Sequence, residues 1–226
     1  MVAATAPRVD DPAMSDPTLL TLATEEAPHA ARQDEVAAAI RSRFVAGDAD
    51  FDVDELARVF ERAGIGRRTF ALPLEAYVGH PGHPQALTGD NRNDRFLDAA
   101  DGMLTRAAAR AVPLHLRPKV THVVTVTTSG IATPSLECAV IDRLGIARAA
   151  RRIPVFGLGC AGGTSGLQIA SDLAAGSEDT LVLVLCVELT SLTFLARDLS
   201  RRNFVACALF GDGAAAALVG SAVLAG

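Results

Sequence analysis

The residue types most able to do chemistry sit in one turn, within IPVFGLGCAGGTSGLQIASDLAAG, from Ile153 to Gly176. Gly157, Gly159 and Gly162 spell G-x-G-x-x-G between an apolar run that reads as a strand and one that reads as a helix. A loop of this kind can bring backbone N–H groups to a pyrophosphate, and the later strand LVLVLCVE ends in an acid, Glu188, as a ribose ligand would require. Yet Glu188 follows Gly162 by 26 positions, where the dinucleotide-binding pattern wants about 20. The pattern also follows at least one strand–helix unit instead of opening the domain. Cys160, among the glycines, offers a second chemistry. A cysteine at a strand-to-helix turn sits where the unpaired N–H groups of the helix start favour an anion, and small neighbours leave room for a substrate carbonyl. A small cysteine packed among small residues is the third reading. A nucleophilic cysteine calls for a histidine partner. All five histidines (His29, His80, His83, His115 and His122) precede Cys160, and spacing assigns none of them to it.

The elements that must hold this turn follow from composition and periodicity. The chain has 226 residues, half of them hydrophobic but only 4% aromatic, so its core is built from Ala, Val, Leu and Ile. That suits tightly packed α/β layers. A net charge of −5 argues against nucleic acid as the main partner. Cys138, Cys160, Cys186 and Cys207 contain no C-x-x-C pair, which speaks against a zinc site or a disulfide framework and for reduced thiols. No apolar run reaches the length of a membrane span, and the N-terminus lacks a signal peptide's pattern. A soluble, cytoplasmic protein is expected.

Residues 1–17 read as a disordered tail and 18–226 as one domain. A short strand over 18–24 precedes helices over 32–47, 52–64 and 93–112, with 65–92, rich in Gly, Pro and His, as loop. From Lys119 strands and helices alternate: VTHVVTVT, then SLECAVIDRLG, IPVFGLG, TSGLQIASDLAAG and TLVLVLCVE. The uninterrupted apolar strands predict a sheet covered on both faces. FVACALF reads as a further strand closed by Phe210, followed by the turn GDG and a last strand from Ala214.

Four blocks, VTVTTSGIATPSLE, GLGCAGGTSGLQIASDLA, LVLVLCVELTSLTF and ALFGDGAAAALVG, resemble in order and spacing the type III polyketide synthases, the chalcone and stilbene synthase-like enzymes of the thiolase superfamily. LATEEAPHAARQDEV and VFERAGIGRRTFALPLEAY resemble the N-terminal part of bacterial members. The resemblance spans roughly 18–221. It implies an α/β thiolase-like fold, layered αβαβα in the complete enzyme, of which this chain is the N-terminal half with a mixed sheet covered by helices. Cys160 matches the nucleophile that takes an acyl group from coenzyme A and holds the growing polyketide. Phe210 matches a gate at the cavity mouth, and Thr128, Glu188, Thr190, Leu192, Thr193 and Ala206 match positions lining or supporting the cavity. Thr133 stands where plant relatives carry a methionine that reaches the neighbouring subunit. GLGC departs from the plant QQGC, so the resemblance does not extend to chalcone formation itself. Arg58 and Arg62 match contacts to CoA phosphates and lie one helical turn apart, although a third basic position of that cluster is Glu55 here.

The family's catalytic histidine and asparagine belong to its second half, beyond residue 226. The resemblance therefore implies an acyl-CoA and malonyl-CoA condensing acyltransferase, homodimeric, with no metal and no cofactor beyond its CoA substrates. This chain is expected to be inactive alone unless a second polypeptide supplies the rest in trans. A ketoacyl synthase of fatty-acid initiation and a non-catalytic half that acts as a binding partner are the alternatives.

Overall fold

A computed structural model describes residues 16–78, 91–221 and 224. The first fifteen residues of the expected tail, and His80 and His83, lie outside the described residues. The elements are β1 (Pro17–Glu26), β2 (His29–Arg32), α1 (Gln33–Ala46), α2 (Val53–Arg62), β3 (Arg67–Phe70), α3 (Leu74–Val78), α4 (Arg92–Ala111), β4 (His122–Thr127), α5 (Glu137–Leu144), β5 (Arg151–Phe156), α6 (Gly162–Ala175), β6 (Leu181–Leu189), α7 (Arg201–Leu209) and β7 (Asp212–Ser221).

Five strands form one mixed sheet in the order β1-β7-β6-β4-β5. β5, β4 and β6 run parallel, while β7 is antiparallel to β6 and β1 antiparallel to β7. The parallel part follows from the strand–helix alternation, because a parallel pair needs a crossover, here α5 and α6. β6 shows why its sequence lacks polar alternation. Leu181, Leu183, Leu185, Val187 and Leu189 join the larger core, while Val182 and Val184 point into a smaller one with Val124, Val126, Ala170 and Ala174 of β4 and α6. With a period of two, a strand covered on both faces has no polar side to show.

Four readings need correction. Residues 65–92 are not simply loop: β3 pairs antiparallel with β2, from Arg32 opposite Arg67 to His29 opposite Phe70, and α3 follows. FVACALF is helix, not strand. Ser200 caps α7 by accepting from the Asn203 N–H, and Phe204 and Ala208, one turn apart, are its fully buried residues. An apolar run of seven residues fits either element, and tertiary packing decides. Here the ring of Phe204 meets Phe44, Phe51 and Phe60 with centroids 5.0, 5.8 and 5.6 Å away, which locks α7 against α1 and α2. Finally, GDG is no free turn: β7 begins at Asp212, which pairs with Leu189 of β6. The tail boundary also moves by one, since Pro17 already pairs with Ser221.

Candidate active site

The glycine turn is built by local geometry that few residues permit. Gly157 and Gly159 adopt φ of +84° and +54°, the left-handed region where a side chain is strained. Cys160 lies in the short 3-10 turn Gly159–Ala161 that leads into α6, and it is exposed. At Gly162 a Cβ would fall 2.6 Å from Cγ1 of Val126, so the first residue of α6 must be glycine for the helix to press against β4.

Neighbouring segments hold the turn in place. The Gly159 N–H donates to Oγ1 of Thr128 at 3.0 Å. The Ser129 N–H donates to Oε2 of Glu188 at 3.0 Å, and the Leu189 N–H donates to Oγ of Ser129 at 2.8 Å. Thr128 and Glu188 thus tie the loop after β4 to the cysteine turn on one side and to the end of β6 on the other. All three lie at the carboxyl ends of parallel strands, where α/β sheets place their ligand sites. Glu188 spends one oxygen on a backbone N–H here, which suits a supporting role better than ribose recognition.

A second group of sequence-selected residues comes together elsewhere. Thr190, Thr193, Ala206 and Phe210 line a cavity of about 90 Å³ that also borders Arg68 and Tyr77. Leu192, between the two threonines, faces the other way into the core, and its carbonyl accepts from Nη1 of Arg92. Phe210 is 46% exposed and follows α7; it is not the buried end of a strand. Thr133 is exposed on the loop after β4, outside this cavity. Arg58 and Arg62 are exposed on α2, on the side opposite buried Phe60. Among the described residues, no cluster of His, Cys, Asp and Glu is placed to hold a metal ion, and no helix is long and apolar enough to cross a membrane.

Sequence reading missed the polar network beneath the cavity. Asp212 is buried; its Oδ1 accepts from the Ser191 N–H at 2.8 Å and its Oδ2 from the Ala71 N–H at 2.7 Å and from the Ser191 hydroxyl. Ser191 Oγ also lies 2.7 Å from the Tyr77 hydroxyl, which accepts from the Leu72 N–H at 2.9 Å. The one available signal was the acid inside GDG, flanked by apolar strand. Burial drives the Tyr77 phenol up to about 12, assisted by the charge of Asp212 and opposed by the hydrogen bonds to Ser191 and Leu72.

A phenol whose folded value is raised stabilises the fold fully below its unfolded value, near 10, and that stability disappears as pH rises through the folded value. Two units correspond to about 3 kcal/mol. The fold is therefore expected to lose about 3 kcal/mol between roughly pH 10 and 12 through this group alone. Tyr77 is the chain's one tyrosine and tryptophan is absent, so tyrosinate absorbance reads this group directly. Titration of the native protein near the free-tyrosine value would contradict the burial argument.

A mixed sheet with helices on both faces, and a cysteine at the start of the helix pressed on its centre, define a thiolase-like α/β protein. The solved structures it is similar to are type III polyketide synthases. The tetrahydroxynaphthalene synthase of Streptomyces coelicolor A3(2) aligns with a TM-score of 0.76 and 26% identity, over 89% of this chain and 56% of that one. The C-terminal type III polyketide synthase domain of Steely1, a type I/III hybrid from Dictyostelium, aligns with a TM-score of 0.76 and 25% identity over 91% and 56%. The chain belongs to the chalcone and stilbene synthase family: the sequence profile of that family's N-terminal domain matches residues 8–223. The 1,3,6,8-tetrahydroxynaphthalene synthase of Streptomyces peucetius subsp. caesius is 40% identical over 163 residues, 71% of this chain and 41% of that protein. The chain thus spans about half the length of the relatives it matches.

Proposed function

We propose that this chain is the cysteine-bearing half of a type III polyketide synthase. Sγ of Cys160 attacks the carbonyl of an acyl-CoA, the CoA thiolate leaves, and the resulting thioester is extended with malonyl-CoA units and cyclised. The observation that carries this reading is the exposed Cys160 on a turn fixed by Gly159 and Thr128 at the start of α6, in a chain of this family. The helix start favours the anion that forms at sulfur. Thr190, Thr193 and Ala206 would border the bound chain, with Phe210 at the cavity mouth. Arg58 and Arg62 would take the CoA phosphates, and Thr133 would give the cavity a shape unlike that of plant relatives.

No resident cofactor enters this chemistry. The histidine base and the asparagine that the family's second half supplies would come from sequence outside this chain, in cis or in trans. Four unpaired cysteines fit a reducing, cytoplasmic setting. Incubation with a radiolabelled acyl-CoA tests the reading: the label should map to the Cys160 peptide as a hydroxylamine-sensitive thioester. Condensation with malonyl-CoA should appear only with a complementing polypeptide. Label elsewhere, or polyketide from the pure chain, would contradict one or the other part.

A homodimer is part of the same proposal, and β5 supports it. This strand is the free edge of the parallel end of the sheet, and it exposes 60% of Phe156, with Ile131 exposed across the neighbouring cavity. Arg151, Arg152 and Pro154 are the other exposed residues of β5, so the apolar contact offered to a second copy lies at its Phe156 end. Phe156→Asp is expected to shift the protein to a monomer in light scattering while leaving its circular dichroism unchanged. A wild-type monomer at high concentration would refute the assignment.

A further inference from the structure

Phe210, at the mouth of the cavity in the proposed function, is nearly half exposed, so packing alone does not fix its ring. Its place follows from its backbone. Residues 210 and 211 fall between the last turn of α7 and the first ladder pair of β7, Asp212 with Leu189. Carbonyls there have neither a helix nor a ladder to supply their donors.

Three successive carbonyls instead receive a donor from a side chain of another segment. Nη1 of Arg68 donates to the carbonyl of Phe210 at 2.5 Å, and Oγ1 of Thr190 donates to that of Gly211 at 2.9 Å. Oγ1 of Thr69 donates to the carbonyl of Asp212 at 2.6 Å. The Ala71 N–H adds a fourth bond, to Oδ2 of Asp212 at 2.7 Å. Three of the four donors thus belong to β3 or to the residue that follows it.

That strand is a firm base. Pairing with β2 sets Arg68 opposite Ala31 and Thr69 opposite Ala30, and both donors are buried. The guanidinium carbon of Arg68 lies 5.5 Å from the centre of the Phe70 ring, which supports its plane. A hydrogen bond from a charged donor is stronger than one between neutral groups, and a buried side chain keeps it without competition from water.

We propose that Arg68 and Thr69 are positioning residues: from β3 they fix the backbone of residues 210–212, so that the Phe210 ring sorts acyl thioesters by the length of their chain. The inference rests on the assignment of Phe210 to the cavity mouth. A ring on a fixed backbone rejects a long chain by clash, whereas a ring on a loose one gives way. The effect of both residues on the thioester therefore passes through Phe210.

Arg68→Met removes the donor and leaves an unbranched apolar chain to pack, Arg68→Lys retains a donor, and Thr69→Val removes only a hydroxyl. Hydrogen exchange over residues 210–214, followed by mass spectrometry, should be about tenfold faster in Arg68→Met and Thr69→Val, and near wild type in Arg68→Lys. Loading of Cys160 is then compared with butyryl-CoA and decanoyl-CoA. The ratio of decanoyl to butyryl rates should rise about tenfold in Arg68→Met and return toward wild type in Arg68→Lys. A purely structural loss would slow both thioesters alike. Phe210→Ala should raise the ratio by itself, and Arg68→Met added to it should change nothing further, because the arginine acts through the ring. Thr69→Val carries the same comparison if Arg68→Met does not fold. Failure of the wild type to load either thioester would remove the polyketide assignment and leave exchange to decide whether β3 holds the segment. Unchanged exchange in the folded variants, an unchanged ratio, or an added effect in the Phe210→Ala background would overturn the positioning role.

Discussion

Cys160→Ala is expected to abolish acyl loading, lowering acyl transfer from CoA by at least about a thousandfold in any assembly that contains this chain. The loss should be chemical and not structural. Cys160 is exposed and packs against nothing that alanine would leave empty, so the variant should unfold at the wild-type denaturant concentration. Activity and stability therefore separate cleanly, and intact-mass spectrometry after incubation with acyl-CoA reads the first while urea unfolding reads the second. The other three cysteines are half-buried, and burial holds Cys186 and Cys207 up at about 11 and about 12, so they should not substitute as nucleophiles near neutral pH. Acyl transfer that survives in Cys160→Ala would remove the nucleophile from the proposal. A variant in the supporting loop makes the complementary case: Thr128→Val removes the acceptor of the Gly159 N–H and should slow loading without removing the sulfur.

Asp212→Ala should have the largest effect on stability, about 4 kcal/mol. Its carboxylate accepts from two backbone N–H groups, of Ala71 and Ser191, and from the Ser191 hydroxyl, in a place where no solvent replaces it. Alanine would leave three buried donors unsatisfied, and each costs about 1–3 kcal/mol. The same bonds join three segments distant in sequence: the link between β3 and α3, the turn carrying Thr190 and Thr193, and the start of β7. The cavity should therefore loosen together with the fold, and urea unfolding would show both a lower midpoint and, through Tyr77, an earlier loss of the local signal.

Burial lifts the Asp212 carboxyl above its ordinary range, against the pull of its hydrogen bonds to Ser191 and Ala71 and of Arg68 nearby. An acid raised in this way stabilises the fold fully below its ordinary value and loses that contribution as pH rises through the raised value. Asp212→Asn, which cannot ionise, should flatten the fall in stability on raising the pH from the acid side, although its amide still faces donors and costs part of the alanine effect. A stability near wild type in Asp212→Ala would mean that the network holds nothing together.

What could be read from the chain was decided by short-range physics. Strand β6 needs apolar residues at every position because both its faces are covered, and that shows in Leu181 to Leu189 with no knowledge of its neighbours. The cysteine turn demands left-handed residues at Gly157 and Gly159 and no side chain at Gly162, requirements written at those very positions. The resemblance to the family rests on blocks of this kind, and so does the correct order of strands and helices from β4 to β6. The candidate nucleophile was legible for the same reason.

Tertiary structure alone decided the rest. FVACALF became α7 because Phe204 finds three aromatic rings, from α1, α2 and the link between them, on residues more than 140 positions earlier. Leu192 turned into the core while Thr190 and Thr193 turned to the cavity, a choice made by the 3-10 turn that carries them. Arg68 reaches the carbonyl of Phe210, and Asp212 reaches the N–H of Ala71, across separations of 142 and 141 residues. Such pairs leave no periodicity in the sequence, because a buried charge is fixed by whichever donors and acceptors the packed backbone brings to it. Local pattern determined the cysteine turn; only the folded chain placed a cation beneath Phe210 and an acid behind it.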